Sequence, residues 1–113
     1  MARRFTAARA RDAAPLFAAL GDPTRLGLVA RLSARGPASI AELGESVDVS
    51  RQAVTKHLHV LSDAGLVRGF RQGRQHIFEL EPTRLAAARG YLERIDAQWD
   101  AALARLEAFL EED

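Results

Sequence analysis

Apolar residues recur along this chain with two different periods, and the changes between them mark out its elements. Over residues 12–20, Leu16, Phe17 and Leu20 share one edge of a short helix, with Pro15 tolerated in the first turn and Gly21 as the stop. Asp22-Pro23 restarts the helical pattern as N-cap and first helical residue, and Leu26, Leu28, Val29 and Leu32 give the next helix a broad inner face as far as Ala34. Arg35-Gly36-Pro37 closes it. Ser39 and Glu42 fit a capping box that opens a short helix ending near Glu45 or Ser46, with Ile40, Leu43 and Val47 inward. Val47-Asp48-Val49 is then a tight link to a second cap, Ser50. In the helix that follows, Val54, Leu58 and Leu61 form the anchoring stripe.

Beyond Asp63-Ala64-Gly65 the period drops from helical to extended. Residues 66–71 and 74–80 flank Gln72-Gly73, which predicts a β-hairpin anchored by Val67, Ile77, Phe78 and Leu80, with Phe70 as a further candidate. Glu81-Pro82-Thr83 starts a final helix running to about Leu110. Its apolar positions Leu85, Ala88, Leu92, Ile95, Trp99, Ala102, Leu106 and Phe109 alternate in steps of three and four, and Tyr91, Leu103 and Leu110 widen the seam. The class is mostly α with a small β-hairpin, arranged as a winged helix-turn-helix. A seam this long exceeds what a terminal helix can hide against one small domain, so a partner chain is expected. The expected dimer interface joins Leu16, Phe17 and Leu20 of the first helix to Leu92, Ile95, Trp99, Leu103 and Leu106 of the last.

The polar positions carry the candidate chemistry. At about 100° per residue, Gln52, Thr55, Lys56 and His59 lie opposite the Val54 stripe, with Arg51 at their edge and Ser50 at the helix start. This face holds no carboxylate; it offers an amide, a hydroxyl, an ammonium and an imidazole, groups that reach phosphates and base edges in a major groove. The hairpin presents Arg68, Arg71 and Arg74 with Gln75 and His76, again without an acid at its tip, as a DNA-contacting wing would.

Composition sharpens this picture in three ways. The net charge of +1 conceals a segregation: residues 25–76 carry eight basic against four acidic side chains, and residues 77–113 four against nine. A basic middle and an acidic end suit one surface turned to a polyanion and another used elsewhere. Cysteine is absent, which removes disulfides, thiolate metal sites and thiol redox chemistry. No run of about 18 apolar residues occurs and no signal-peptide core is visible, so a membrane span is not expected and a cytoplasmic location is. Residues 1–11, with Arg3, Arg4, Arg9 and Arg11 and no acid, read as a flexible basic arm ahead of a single DNA-binding and dimerisation domain over 12–113.

With Leu20-Gly21-Asp22-Pro23-Thr24-Arg25, then Val54-Thr55-Lys56-His57-Leu58-His59-Val60-Leu61, then Ala64-Gly65-Leu66-Val67 and Gly73-Arg74, the chain resembles the ArsR-type winged-helix transcriptional repressors over about residues 13–110. The resemblance implies a homodimer joined by first and last helices that binds an imperfect inverted repeat in double-stranded DNA, usually as a repressor near its own promoter. It also implies a comparison with the family's metal sensors, from which this chain departs. Ser39 and Ala41 stand where those sensors carry cysteines, and the last helix has no histidine to join Glu93, Asp96 and Asp100. His57, His59 and His76 form no i, i+4 pair, so neither a metal site nor a cofactor is expected, and the chain reads as one of the non-metal-sensing branch. His59 replaces a lysine common in such helices, making part of the groove-facing charge depend on pH.

An enzyme finds little support: there is no phosphate-binding glycine loop and no nucleophile with a base in a cleft-like context. The stronger alternative is a protein-interaction module or antirepressor that keeps the fold without binding DNA, against which Arg51, Gln52, Lys56 and the basic wing argue.

Overall fold

The computed structural model describes residues 7–111. Five helices and a three-stranded antiparallel sheet follow in the order α1 (Ala7–Leu20), α2 (Pro23–Arg35), β1 (Ala38–Ser39), α3 (Ile40–Glu45), α4 (Arg51–Asp63), β2 (Val67–Gln72), β3 (Gln75–Leu80) and α5 (Pro82–Glu111). The core gathers Leu16 and Ala19 of α1, Leu28 and Leu32 of α2, Leu43 of α3, and Val54, Leu58 and Leu61 of α4. Ala38 of β1, with Leu66, Val67, Phe78 and Ala88 from the hairpin and the start of α5, completes it.

Three helix starts are fixed by the caps that the sequence suggests. Asp22 accepts from the Arg25 N–H at 3.0 Å, with Pro23 in the first turn. Ser39 and Glu42 close a reciprocal capping box at 3.1 and 2.9 Å. Ser50 accepts from the Ala53 N–H at 3.1 Å and starts α4. These bonds hold both acids in their charged form. Asp22 lies below the usual carboxylate range chiefly through the Arg25 backbone bond, and Glu42 through the bond from the Ser39 N–H.

The end of α4 decides where the hairpin leaves. Gly65 takes φ +79°, its N–H bonds the Ser62 carbonyl at 2.9 Å, and the Leu66 N–H bonds the Leu61 carbonyl at 2.9 Å. This is a Schellman closure, with Leu61 and Leu66 both fully buried as its apolar pair. A side chain on Gly65 would be strained by that φ and would also meet Arg84 at 3.1 Å. The chain therefore turns directly from helix into strand, and the Glu81 N–H bonds the Leu66 carbonyl at 2.9 Å to shut the hairpin's base.

Five expectations need correcting. Helix α1 begins at Ala7, so residues 7–11 of the expected arm are helical; residues 1–6 lie outside the described residues. Pro15 then sits well inside α1, where it removes one intrahelical donor, a cost offset by burying Ala13, Leu16 and Ala19. Leu26 is exposed rather than inward, since it lies about 160° around α2 from Leu28. The hairpin turn is Gly73-Arg74, one residue later than Gln72-Gly73, because Gln72 pairs with Gln75 and Gly73 supplies the positive φ of +63° at the first turn position. Finally, β1 joins the sheet against β3, in the order β1-β3-β2, with Ala38 opposite Phe78 and Ser39 opposite Ile77. Two residues are too few to show a strand period.

Candidate nucleic-acid interface

Helices α3 and α4, joined by residues 46–50, form the helix-turn-helix, and α4 is held from beneath by Val54, Leu58 and Leu61, each fully buried. That anchorage turns the opposite face outward. Ser50, Arg51, Gln52, Lys56 and His59 are exposed and Thr55 is half-buried. Two of these side chains carry a second duty. The Ser50 oxygen caps α4, and the Thr55 hydroxyl donates to the Arg51 carbonyl at 3.1 Å, which leaves Thr55 a lone pair and a methyl to present to a base edge.

The exposed Asp63 lies on the same side of α4 as Lys56, two turns on. The acid-free part of the face therefore runs from Arg51 to His59, ahead of Asp63.

The wing divides its three arginines. Arg68 is opposite Glu79 in the strand register, and its Nη2 and Nε lie 2.7 Å from the same carboxylate oxygen. That hydrogen-bonded ion pair raises the Arg68 pKa still further and neutralises its charge locally. Arg68 thus braces the hairpin through Glu79, an acid that lies on β3 outside the tip expected to be free of acids. Arg71 and Arg74 are exposed at the tip, with no side-chain ion pair among the described residues. The signal was present in the sequence as Glu79, but it becomes readable only once the register is known.

Gly69 shapes the wing between brace and tip. The rings of His76 and Phe78 lie 4.5 Å apart, and a Cβ on Gly69 would come within 2.7 Å of His76 Nε2 and 2.8 Å of the Phe78 ring. The glycine leaves room for both rings to lie across the strand.

The expected interface residues separate as sharply. Leu16 is 1% exposed inside the protomer's own core and has no area left for a partner. Phe17 and Leu20 pack at the edge of that core, with the Phe17 ring 6.0 Å from Tyr91 of α5. Leu92, Ile95, Trp99, Leu103 and Leu106 are all exposed, Trp99 by 64%, and among the described residues Ala88 is the one fully buried side chain of α5.

Histidines and acids do not converge: among the described residues no three of them are placed to hold a metal ion. His57 has a different partner, which the sequence reading missed by weighing it only as a ligand. Its Nδ1 lies 3.1 Å from Arg25 Nη1, on the flank of α4 away from the groove-facing side.

Comparison with known proteins agrees with this geometry. Residues 20–69 match the family model described as a helix-turn-helix domain. The chain is 45% identical over 85 residues to the HTH-type transcriptional regulator Rv2034 of Mycobacterium tuberculosis, covering 75% of this chain and 76% of that one. It is 32% identical over 95 residues to the arsenical resistance operon repressor of Escherichia coli, covering 84% and 79%. Among solved structures, an ArsR-like transcriptional regulator from Rhodococcus sp. RHA1 superposes with a TM-score of 0.77 at 35% identity, covering 94% of this chain and 99% of that one.

Proposed function

Because this chain belongs to the ArsR family of helix-turn-helix transcriptional regulators, we propose that it works as a cytoplasmic homodimer on an inverted repeat in double-stranded DNA, repressing transcription without a cysteine metal site. Each protomer inserts α4 from Arg51 to His59 into a major groove. Gln52 and His59 face base edges there, while Arg51, Lys56 and the Ser50 end of the helix meet phosphates. Arg71 and Arg74 follow the flanking backbone or enter the minor groove.

The observation that carries the reading is the division of surface. The basic and polar face of α4 from Arg51 to His59 and the apolar seam of α5 are both exposed, and they belong to different parts of the molecule. One protomer offers a single recognition helix, whereas reading an inverted repeat needs two, about 34 Å apart. Pairing of the α5 seams, with Phe17 and Leu20 at their edge, sets that separation and buries apolar surface that is otherwise in water.

The test is a gel shift with an inverted repeat selected by the protein from a random duplex library, run beside a single half-site. The reading expects two chains on the repeat and far weaker binding to the half-site. One chain per repeat, or no selection at all, contradicts it, and the second result favours the antirepressor alternative.

A further inference from the structure

Arg25 connects three helices with one side chain. It stands in the first turn of α2, but its Nε donates to the Ala19 carbonyl at 2.6 Å and its Nη2 reaches the Ala18 carbonyl at 3.5 Å, both in the last turn of α1. Carbonyls at a helix C-terminus lack intrahelical partners, and a guanidinium is suited to take them. The remaining arm, Nη1, lies 3.1 Å from His57 Nδ1 on α4.

Chemistry fixes the direction of that last bond. A guanidinium has no acceptor, so the bond forms only when Nδ1 is unprotonated and the ring's proton is on Nε2. Asp22 Oδ2 is 3.9 Å from the same Nδ1, too far for a hydrogen bond, and is already committed to the Arg25 N–H. With Nδ1 unprotonated, the ring accepts from the Arg25 guanidinium.

What the bond joins is more telling than the bond itself. Toward one end lies α1, which packs on α5 and touches it through Phe17 and Tyr91. At the other is the flank of the recognition helix, about 140° around α4 from Gln52. Leu58 and its neighbours hold α4 down on the core, but apolar contacts are non-directional and leave its rotation about the core normal less defined than a planar fork does.

We propose that Arg25 and His57 are positioning residues that set the angle of α4 relative to the dimerisation helices, and so the half-site spacing that the dimer reads. This rests on the homodimer reading above. Neither side chain touches DNA; each acts through the placement of Gln52, Lys56 and His59.

The experiment measures spacing preference, which a loss of stability alone does not change. Three duplexes are used: the repeat selected by the unaltered protein, the same repeat with one base pair added between half-sites, and one half-site. His57→Leu removes the acceptor at similar bulk; His57→Asn keeps an acceptor at the δ position. The unaltered protein should prefer the selected repeat to the lengthened one, and His57→Leu should reduce that ratio about fivefold, the equivalent of one hydrogen bond, with half-site affinity unchanged. His57→Asn should restore the ratio. Arg25→Lys keeps the charge but loses the fork, and should behave like His57→Leu, which provides a second variant if the first fails to fold. A full spacing preference in folded His57→Leu or Arg25→Lys overturns the proposal, as does His57→Asn behaving like His57→Leu. An unaltered protein indifferent to spacing instead overturns the homodimer reading on which it stands.

Discussion

Helices α4 and α5 are both amphipathic, yet the protomer treats them in opposite ways. Helix α4 is 13 residues long and buries Val54, Leu58 and Leu61 completely, while α5 is 30 residues long and fully buries Ala88. The first finds its packing partners within the chain: α2, α3 and the hairpin surround it. The second continues past them, leaving Leu92, Ile95, Trp99, Leu103, Leu106, Phe109 and Leu110 in water. An apolar stripe thus indicates that a helix needs a neighbour, and chain length decides whether the neighbour can be internal. For α4 the packing orients a chemical face; for α5 its absence leaves an apolar seam exposed along the helix beyond Ala88.

The sharpest way to break the comparison is to truncate one leucine from each stripe. Leu58→Ala should lower unfolding stability by about 2–5 kcal/mol, with a midpoint shift independent of protein concentration. Leu103→Ala should give a thermal midpoint that depends more steeply on concentration, since its loss weakens association rather than the protomer. If both shifts are equally insensitive to concentration in calorimetry, α5 is not an interface.

On the DNA side, Gln52→Ala should relax preference at one base position, at a cost of about 1–3 kcal/mol where the contact is bidentate. Lys56→Ala should weaken all sequences alike. Wild-type affinity and selectivity in both variants would remove α4 from the groove. The wing makes a finer distinction: replacing Arg71 and Arg74 together should flatten the slope of log K against log salt by about one per lost phosphate contact. Arg68→Ala should change it less, because Glu79 already neutralises that charge.

The smallest effect concerns the caps. Asp22 and Glu42 have carboxyl pKa values below their ordinary 3.8 and 4.5, so their contribution to stability is complete above those values and is lost as pH falls through the lowered ones. Glu42→Gln can still complete the capping box but cannot be protonated, so it should leave neutral-pH stability nearly unchanged and flatten the acid limb of the stability curve. An unchanged acid limb places the sensitivity elsewhere.

Much of this architecture is legible in the amino-acid sequence, residue by residue. Asp22-Pro23, Ser39 with Glu42, and Ser50 are local signals whose bonds span three residues, so the sequence carries them whole. The outward placement of Arg51, Gln52, Lys56 and His59 follows from the same locality, because Val54, Leu58 and Leu61 define which side of α4 is inward. What was not legible required contacts distant in sequence. Arg68 reads as a free cation until the register sets Glu79 beside it, and Leu16 reads as interface until the packed core leaves it 1% exposed. The link from Arg25 to His57 spans three helices, and no periodicity encodes it. The wing's turn lies one residue from the sequence expectation because Gln72-Gly73 and Gly73-Arg74 are equally good turns until the strands are paired.

The central claim is that exposed apolar surface on α5 and DNA reading by α4 belong to one dimeric machine. Trp99→Ala tests it most directly, since Trp99 is 64% exposed, sits mid-seam and lies far along the chain from α4. Removing a large aromatic anchor from an interface typically costs about 2 kcal/mol or more. In sedimentation and binding measured on the same preparation, Trp99→Ala should shift toward monomer and lose affinity for the full repeat together, while its half-site binding stays as in the parent. A Trp99→Ala protein that sediments as monomer yet binds the full repeat at parental affinity, or a parent that is itself monomeric at micromolar concentration, would contradict the account.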